Sequence, residues 1–186
     1  MKLRKQVLSI LCVGMLAFVV GCTHEQAPTT GKSEPTQETK VNKDAETSKV
    51  SQERVKMAFF VPTEDGSGVR RTTVEIEANK VTPKAALLAM LNADRAQKYP
   101  VFSKDIEITS VTVKDGIASV EVNDAFVKGN GGDLTVKLHM AAIVNTLTSF
   151  DNINGVLFVN NGKKVPTVGS FDTKEPVKRM TNLIKK

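Results

Sequence analysis

The chain has 186 residues, with 26 Lys and Arg against 20 Asp and Glu, two cysteines and no tryptophan. Three of the basic residues, Lys2, Arg4 and Lys5, open a leader expected to be removed; without them 23 basic face 20 acidic side chains, a net of +3 that gives little reason to expect nucleic acid as a partner. The cysteines are Cys12 and Cys22, so nothing beyond Cys22 offers a thiol for a disulfide, a metal thiolate or nucleophilic catalysis.

The basic start is followed by an apolar run from Val7 to Val20, interrupted by Ser9. At about 15 residues the run is shorter than the roughly 20 of a membrane-spanning helix, so it reads as the core of an export signal. It ends Val19-Val20-Gly21-Cys22. Gly21 is small enough to let the scissile bond enter a narrow peptidase pocket, and Cys22 supplies a thiol that can carry a diacylglycerol. The tetrad resembles the lipobox of bacterial lipoproteins. Residues 1–21 are therefore predicted to be a signal peptide cut between Gly21 and Cys22, with Cys22 lipidated. The predicted location is outside the cytoplasm, tethered to a bacterial cell membrane, where two or more acyl chains would hold the protein stably.

From Thr23 to Gln52 the chain is rich in Thr, Glu, Lys, Gln, Ser and Pro and has no aromatic residue. Such a segment buries too little surface to offset its ordering entropy, so residues 22–52 are predicted to be a lipidated, disordered tether. As a coil of roughly 30 residues it would average about 30 Å end to end. Residues 53–186 suit a single domain with one core.

Within that domain, Val55, Met57, Phe59 and Val61 alternate with polar or small neighbours and predict a strand. Pro62 to Gly68 is a loop, and Thr72 to Glu77 returns as a second strand through Val74 and Ile76. Thr82-Pro83 is a helix start, and the helix is expected to run from Lys84 to Lys98, where Tyr99-Pro100 ends it. Ile106 to Val113 changes phase between Ile108 and Val111, which predicts a β-bulge near Thr109-Ser110. Asp115-Gly116 is a hairpin turn leading to a strand through Ala118, Val120 and Val122. Gly129-Asn130-Gly131-Gly132 breaks the chain, and Asp133 is placed to cap a second helix. Its stripe of Val136, Met140, Ile143, Leu147 and Phe150 would pack on a sheet. Val156 to Val159 is a buried strand, and Asn161-Gly162 turns into a short partner at Lys164 to Thr167. The order β-β-α-β-β-α-β-β predicts an α+β domain, a mostly antiparallel sheet with two helices on one face. Gly116 is expected to tolerate substitution less well than Gly68, because its turn sets the register of two central strands.

The run Val111 to Val122, the Gly-rich break, Val144 to Phe150 and Gly155 to Gly162 together resemble the GerMN domain of sporulation and spore germination proteins, and Ser170 to Arg179 is similar to that family's C-terminal segment. The resemblance spans Val55 to Arg179 with one copy of the domain. It implies an extracytoplasmic domain, often on a lipoprotein, with a non-enzymatic role in assembling the cell envelope, in sporulation or germination. The first helix ends Ala93-Asp94-Arg95 where the family usually has a Gly-Pro turn, and no functional residue is carried over.

His139 is the one histidine of the domain and lies mid-helix without a companion at metal-ligand or catalytic spacing, so neither a catalytic residue nor a metal site is assigned. The glycine-rich break could cradle an anion, but it lacks the Lys-Ser/Thr of a phosphate loop, and Asp133 would oppose negative charge. Asp115, Glu121 and Asp124 cluster around one hairpin and could serve as acid and base on a glycan, although no aromatic sugar platform accompanies them. No cofactor is expected. Arg70, Arg71, Lys163 and Lys164 flank the predicted outer hairpins and are the candidate contacts with an envelope protein partner. The predicted function is thus a lipid-anchored interaction module, the alternative being an envelope enzyme or small-ligand binder acting on cell-wall material.

Overall fold

The alternation at Val55–Val61 produces β1 (Arg54–Pro62), which pairs antiparallel along its length with β2 (Val69–Glu77). Met57, Phe59 and Val61 are buried as the pattern requires, and Phe60 on the opposite face is buried too, with the Arg179 guanidinium 5.1 Å from its ring centre. This computed structural model describes residues 53–186; the predicted signal peptide, Cys22 and the tether lie outside the described residues.

The first long helix, α1 (Pro83–Arg95), starts as expected: the Thr82 hydroxyl accepts from the Ala85 N–H and Pro83 occupies the first turn. It stops three residues before the expected end at Lys98. Asp94 explains the stop, because its carboxylate faces inward and collects backbone N–H groups from the returning loop. Next come β3 (Ile108–Lys114) and β4 (Ile117–Val122), paired antiparallel with the predicted register shift between Ile108 and Ser110. The Asp115-Gly116 turn has φ of 50° and 77°, the left-handed pair that an Asp-Gly hairpin supplies.

After β4 the structure adds a short helix the sequence did not reveal, α2 (Asp124–Val127), capped by the Asn123 side chain on the Phe126 N–H. The helix α3 (Gly132–Leu147) then begins at Gly131 with φ 102°, so Asp133 is not its N-cap. Asp133 sits in the first turn instead, where its carboxylate accepts from the Ser170 hydroxyl. Residues 138 to 147 of α3 are all buried. The expected single apolar stripe is therefore incomplete: a helix buried all round is enclosed, not laid on a surface.

What encloses it is a division of the strands that hydrophobic periodicity does not report. β5 (Gly155–Asn160) runs parallel to β4 and antiparallel to β6 (Lys163–Lys164), giving a four-stranded sheet ordered β3-β4-β5-β6. β1 and β2 form a separate sheet with β9 (Ile184–Lys185), which lies parallel to β2. The helices α1 and α3 pack on each other, and each touches strands of both sheets. The expected partner strand at Lys164–Thr167 splits into β6 and β7 (Thr167–Val168), and β7 pairs with β8 (Phe171–Asp172). The α+β class and the order of the main elements stand; the helices serve two sheets, not one face of one.

The last residues tie these layers together. Val177 exchanges two backbone hydrogen bonds with Val156 of β5, at 3.0 and 2.8 Å. The Asn145 side chain on α3 donates to the Met180 carbonyl and accepts from the Met180 N–H. Arg179 covers Phe60, and Ile184 pairs with Val69 of β2. Residues 177–185 are thus a strap from the second sheet, across α3, to the first.

Candidate functional site

Ionisable and polar side chains gather at several places among the described residues, two of which hold the residues singled out by the sequence. The first is in the core. Asp94 falls on the inward face of α1 with Leu87 and Leu91, at spacings of four and three. It is fully buried, and its carboxylate accepts from the Val101 and Phe102 N–H groups at 3.2 and 2.8 Å and from the Gln97 amide at 3.2 Å. His139 on α3 faces the same segment. Its ring lies 4.3 Å from that of Phe102 and 5.9 Å from that of Phe126, and Nε2 is 3.0 Å from the Val101 carbonyl. A carbonyl can only accept, so Nε2 carries the proton and the buried Nδ1 is left without a partner.

Burial pulls the His139 imidazole below its ordinary value, against the opposing effects of the Val101 carbonyl and the Asp94 charge. Burial also pushes Asp94 upward, opposed by the Phe102 and Val101 N–H groups, the His139 charge and the Gln97 amide. The pair is built to hold a chain segment: Asp94 takes the N–H groups of Val101-Phe102 and His139 takes a carbonyl. Arg95 adds bonds to the carbonyls of Ser103 and Ile106, at 3.0 and 2.6 Å. Sequence reasoning passed over Asp94. The available signal was a carboxylate standing where the helical spacing of Leu87 and Leu91 calls for an apolar residue.

The second place is an open cleft of about 410 Å³ at the carboxyl ends of β4 and β5, lined by Thr109, Glu121, Asn123, Asp124, Asn160 and Asn161. Glu121 is in β4 and Asp124 opens α2, so the fold does bring these two together. Asp115, at the opposite end of β4, stays apart on an exposed turn. The donors of the cleft are largely spent internally. Asn160 Nδ2 donates to the Val122 carbonyl and to Asp124 Oδ1, at 2.9 and 3.0 Å, and Asn161 Nδ2 donates to Asn160 Oδ1. Asn123 Nδ2 is bonded to the Asp105 carbonyl at 2.6 Å. The carboxylates are partly engaged as well, Glu121 Oε1 accepting from the Gly162 N–H at 3.4 Å and Asp124 Oδ1 from Asn160, while their second oxygens suit a ligand that brings its own donors. Among the described residues no three His, Cys, Asp or Glu side chains are grouped to hold a metal ion.

The four candidate contact residues are exposed but not assembled into one patch. Arg70 and Arg71 are successive residues of β2 and so point to opposite faces of the first sheet. Lys163 and Lys164 form β6, at the edge of the second sheet. Gly129, Gly131 and Gly132 all take positive φ and make the turn into α3. Gly21 and Cys22 lie outside the described residues. No helix among the described residues is long and apolar enough to cross a membrane.

Residues 58–166 match the model of a protein family described as Germane, sporulation and spore germination. The first GerMN domain of the sporulation protein GerM from Bacillus subtilis superposes with a TM-score of 0.52 at 19% identity, covering 67% of this chain and 98% of that one. The tandem GerMN domains of the same protein give 0.50 at 19% identity, covering 71% of this chain and 47% of that one, so this chain spans about half the tandem. A Clostridium perfringens protein described as a candidate lipoprotein gives 0.47 at 21% identity, covering 70% of this chain and 91% of that one. At these identities the likeness is one of fold. No curated protein matches the chain.

Proposed function

The chain belongs to the sporulation and spore germination family, and from that membership we propose that it is a lipid-anchored domain of the cell envelope, held outside the cytoplasm through Cys22, that works by docking against a protein and not by chemistry. The observation that carries the docking reading is the outward side of the second sheet. Leu157 and Val159 of β5 and Ile117 of β4 are half-buried there, and the outer edge of β3 pairs with no strand among the described residues. Sheet surfaces and edges of this kind are completed by partner chains. The ionisable groups of the core support the same reading, since Asp94 and His139 are occupied in holding backbone.

The cleft containing Glu121 and Asp124 favours the second reading, an envelope enzyme or binder of small ligands. Cells carrying His139→Ala together with Asp124→Asn, which changes the cleft without touching Glu121, separate the two. Under the docking reading the folded double variant keeps cellular function; a folded variant that loses function replaces docking with chemistry. The anchor is tested by feeding cells a clickable fatty acid. Cys22→Ala abolishes labelling if Cys22 carries the lipid, and equal labelling of the variant overturns that assignment.

A further inference from the structure

The edges of the two main sheets differ in how they are closed. The free side of β1 is met by α3, whose Thr146 hydroxyl accepts from the Phe60 N–H at 2.9 Å. β2 is covered at Val69 and Arg70 by β9, and its remaining length carries Arg71, Glu75 and Glu77. β6 is two lysines long. Short length and charge are how edges are kept from pairing. β3 is different. From Thr109 to Val113 it has no charged side chain and reads Thr-Ser-Val-Thr-Val, a β-favouring run. Among the described residues, the one carbonyl of this run bonded from outside the sheet is that of Thr109, which accepts from Lys84 Nζ at 2.6 Å.

Both sides of that edge carry something to bind. Lys84 and Leu88 are one turn apart on α1 and so share the helix face turned to β3, where Leu88 is 43% exposed; Val113, on the inward side of β3, is 37% exposed. On the outward side, Ser110 stands opposite Glu121, with the cleft and Asp124 beyond it. A strand added to β3 would lie about 4.8 Å out, so a residue beside Ser110 would be about 10 Å from Glu121. A lysine or arginine spans that gap with Glu121 across the small Ser110 side chain.

Resting on the docking reading above, we propose that the edge of β3 and the exposed face of α1 form a groove for an extended peptide segment of a partner protein, which adds a strand to the second sheet with apolar side chains toward Leu88 and Val113 and a lysine or arginine toward Glu121. The strand supplies what the cleft lacks, a donor of positive charge, and the unpaired β3 backbone supplies affinity independent of sequence. Lys84 limits the strand at one end and the Asp115-Gly116 turn at the other, so about five residues are engaged.

The test uses the full chain in mild detergent and fluorescein-labelled heptapeptides of sequence Val-Thr-Val-Xaa-Val-Thr-Val, with Lys, Ser or Glu at the centre, read by fluorescence anisotropy. The expected order of affinity is Lys, Ser, Glu, with Lys roughly tenfold tighter than Glu, as a difference of about 1.4 kcal/mol gives. Glu121→Gln should remove most of that preference while leaving the Ser peptide unchanged, and Leu88→Asp should weaken all three peptides. Both positions are at the surface, so folding is checked by an unchanged far-ultraviolet spectrum. Absence of saturable binding, or binding indifferent to both substitutions, overturns the groove. Photocrosslinking in cells from Thr73 on the β2 edge and from Thr112 on the β3 edge tells the two readings apart. A specific adduct from Thr73 alone keeps docking and eliminates this groove; no adduct from either counts against docking itself.

Discussion

Asp94 and His139 show how a polar pair in a core can be structural. Replacing Asp94 with Ala strands the Val101 and Phe102 N–H groups in the interior, and each buried unsatisfied group costs about 1–3 kcal/mol. Asp94→Ala is therefore expected to lower the urea-unfolding free energy by about 3 kcal/mol, and Asp94→Asn by less, because one oxygen remains to accept. The two ionisations act on stability in opposite directions. His139 is depressed on folding, so the unfolded chain binds the proton first and stability falls as pH drops through the unfolded value of about 6.5. Asp94 is raised, so its contribution falls as pH climbs from the unfolded value of about 3.9 toward the higher folded one. Unfolding midpoints measured from pH 5 to 8 should show the His139 slope, and His139→Leu should flatten it; an unchanged slope would place the titration elsewhere. Gly68 bears on the expected ranking of the two turn glycines. A Cβ there would collide with the Leu183 carbonyl, whereas one at Gly116 would meet only the Asn154 side chain, although φ of 77° strains it. Gly68→Ala should therefore destabilise at least as much as Gly116→Ala, by comparison of thermal midpoints.

Among the elements, the sequence was most legible where one residue type decides local geometry. Thr82-Pro83, Asp115-Gly116 and the phase change at Thr109 each specify a backbone conformation without reference to the rest of the chain, and all three are found. The end of α1 and the start of α3 were misplaced because their causes are tertiary: Asp94 reaches across to the 101–102 segment, and Asp133 is drawn to Ser170. The enclosure of α3 was illegible for a related reason. A stripe at Val136, Met140, Ile143 and Leu147 looks the same whether the residues between it face water or a second sheet, and small residues such as Ala141 and Ala142 do not declare which. The distinction can be measured. Ala142 is fully buried, so Ala142→Leu overpacks the interior and should cost about 1–3 kcal/mol, an effect absent from a helix with a solvated back. Of the candidate site, the pairing of Glu121 with Asp124 was legible from one hairpin; the spent donors around them, contributed by Asn160 and Asn161 of a distant turn, were not.

For the molecule as a whole, the strap decides whether the two sheets behave as one body. Its bonds to β5, α3 and β2 lie on three different layers, and removing residues 177–186 uncovers Phe60 and Val69 at once. Truncation after Pro176 should lower stability by several kcal/mol, on the scale of losing two large buried side chains, and should expose apolar surface detectable by ANS fluorescence. A truncated chain with an unchanged urea midpoint would reduce the strap to decoration. The strap also has a consequence in time. Ile184 pairs with Val69, more than a hundred residues earlier in the chain. A chain made N-terminus first has every strand of both main sheets except β9 in hand before residues 177–185 arrive, so the contacts of the strap with Asn145, Phe60 and Val69 are the last of the layers' contacts that can form.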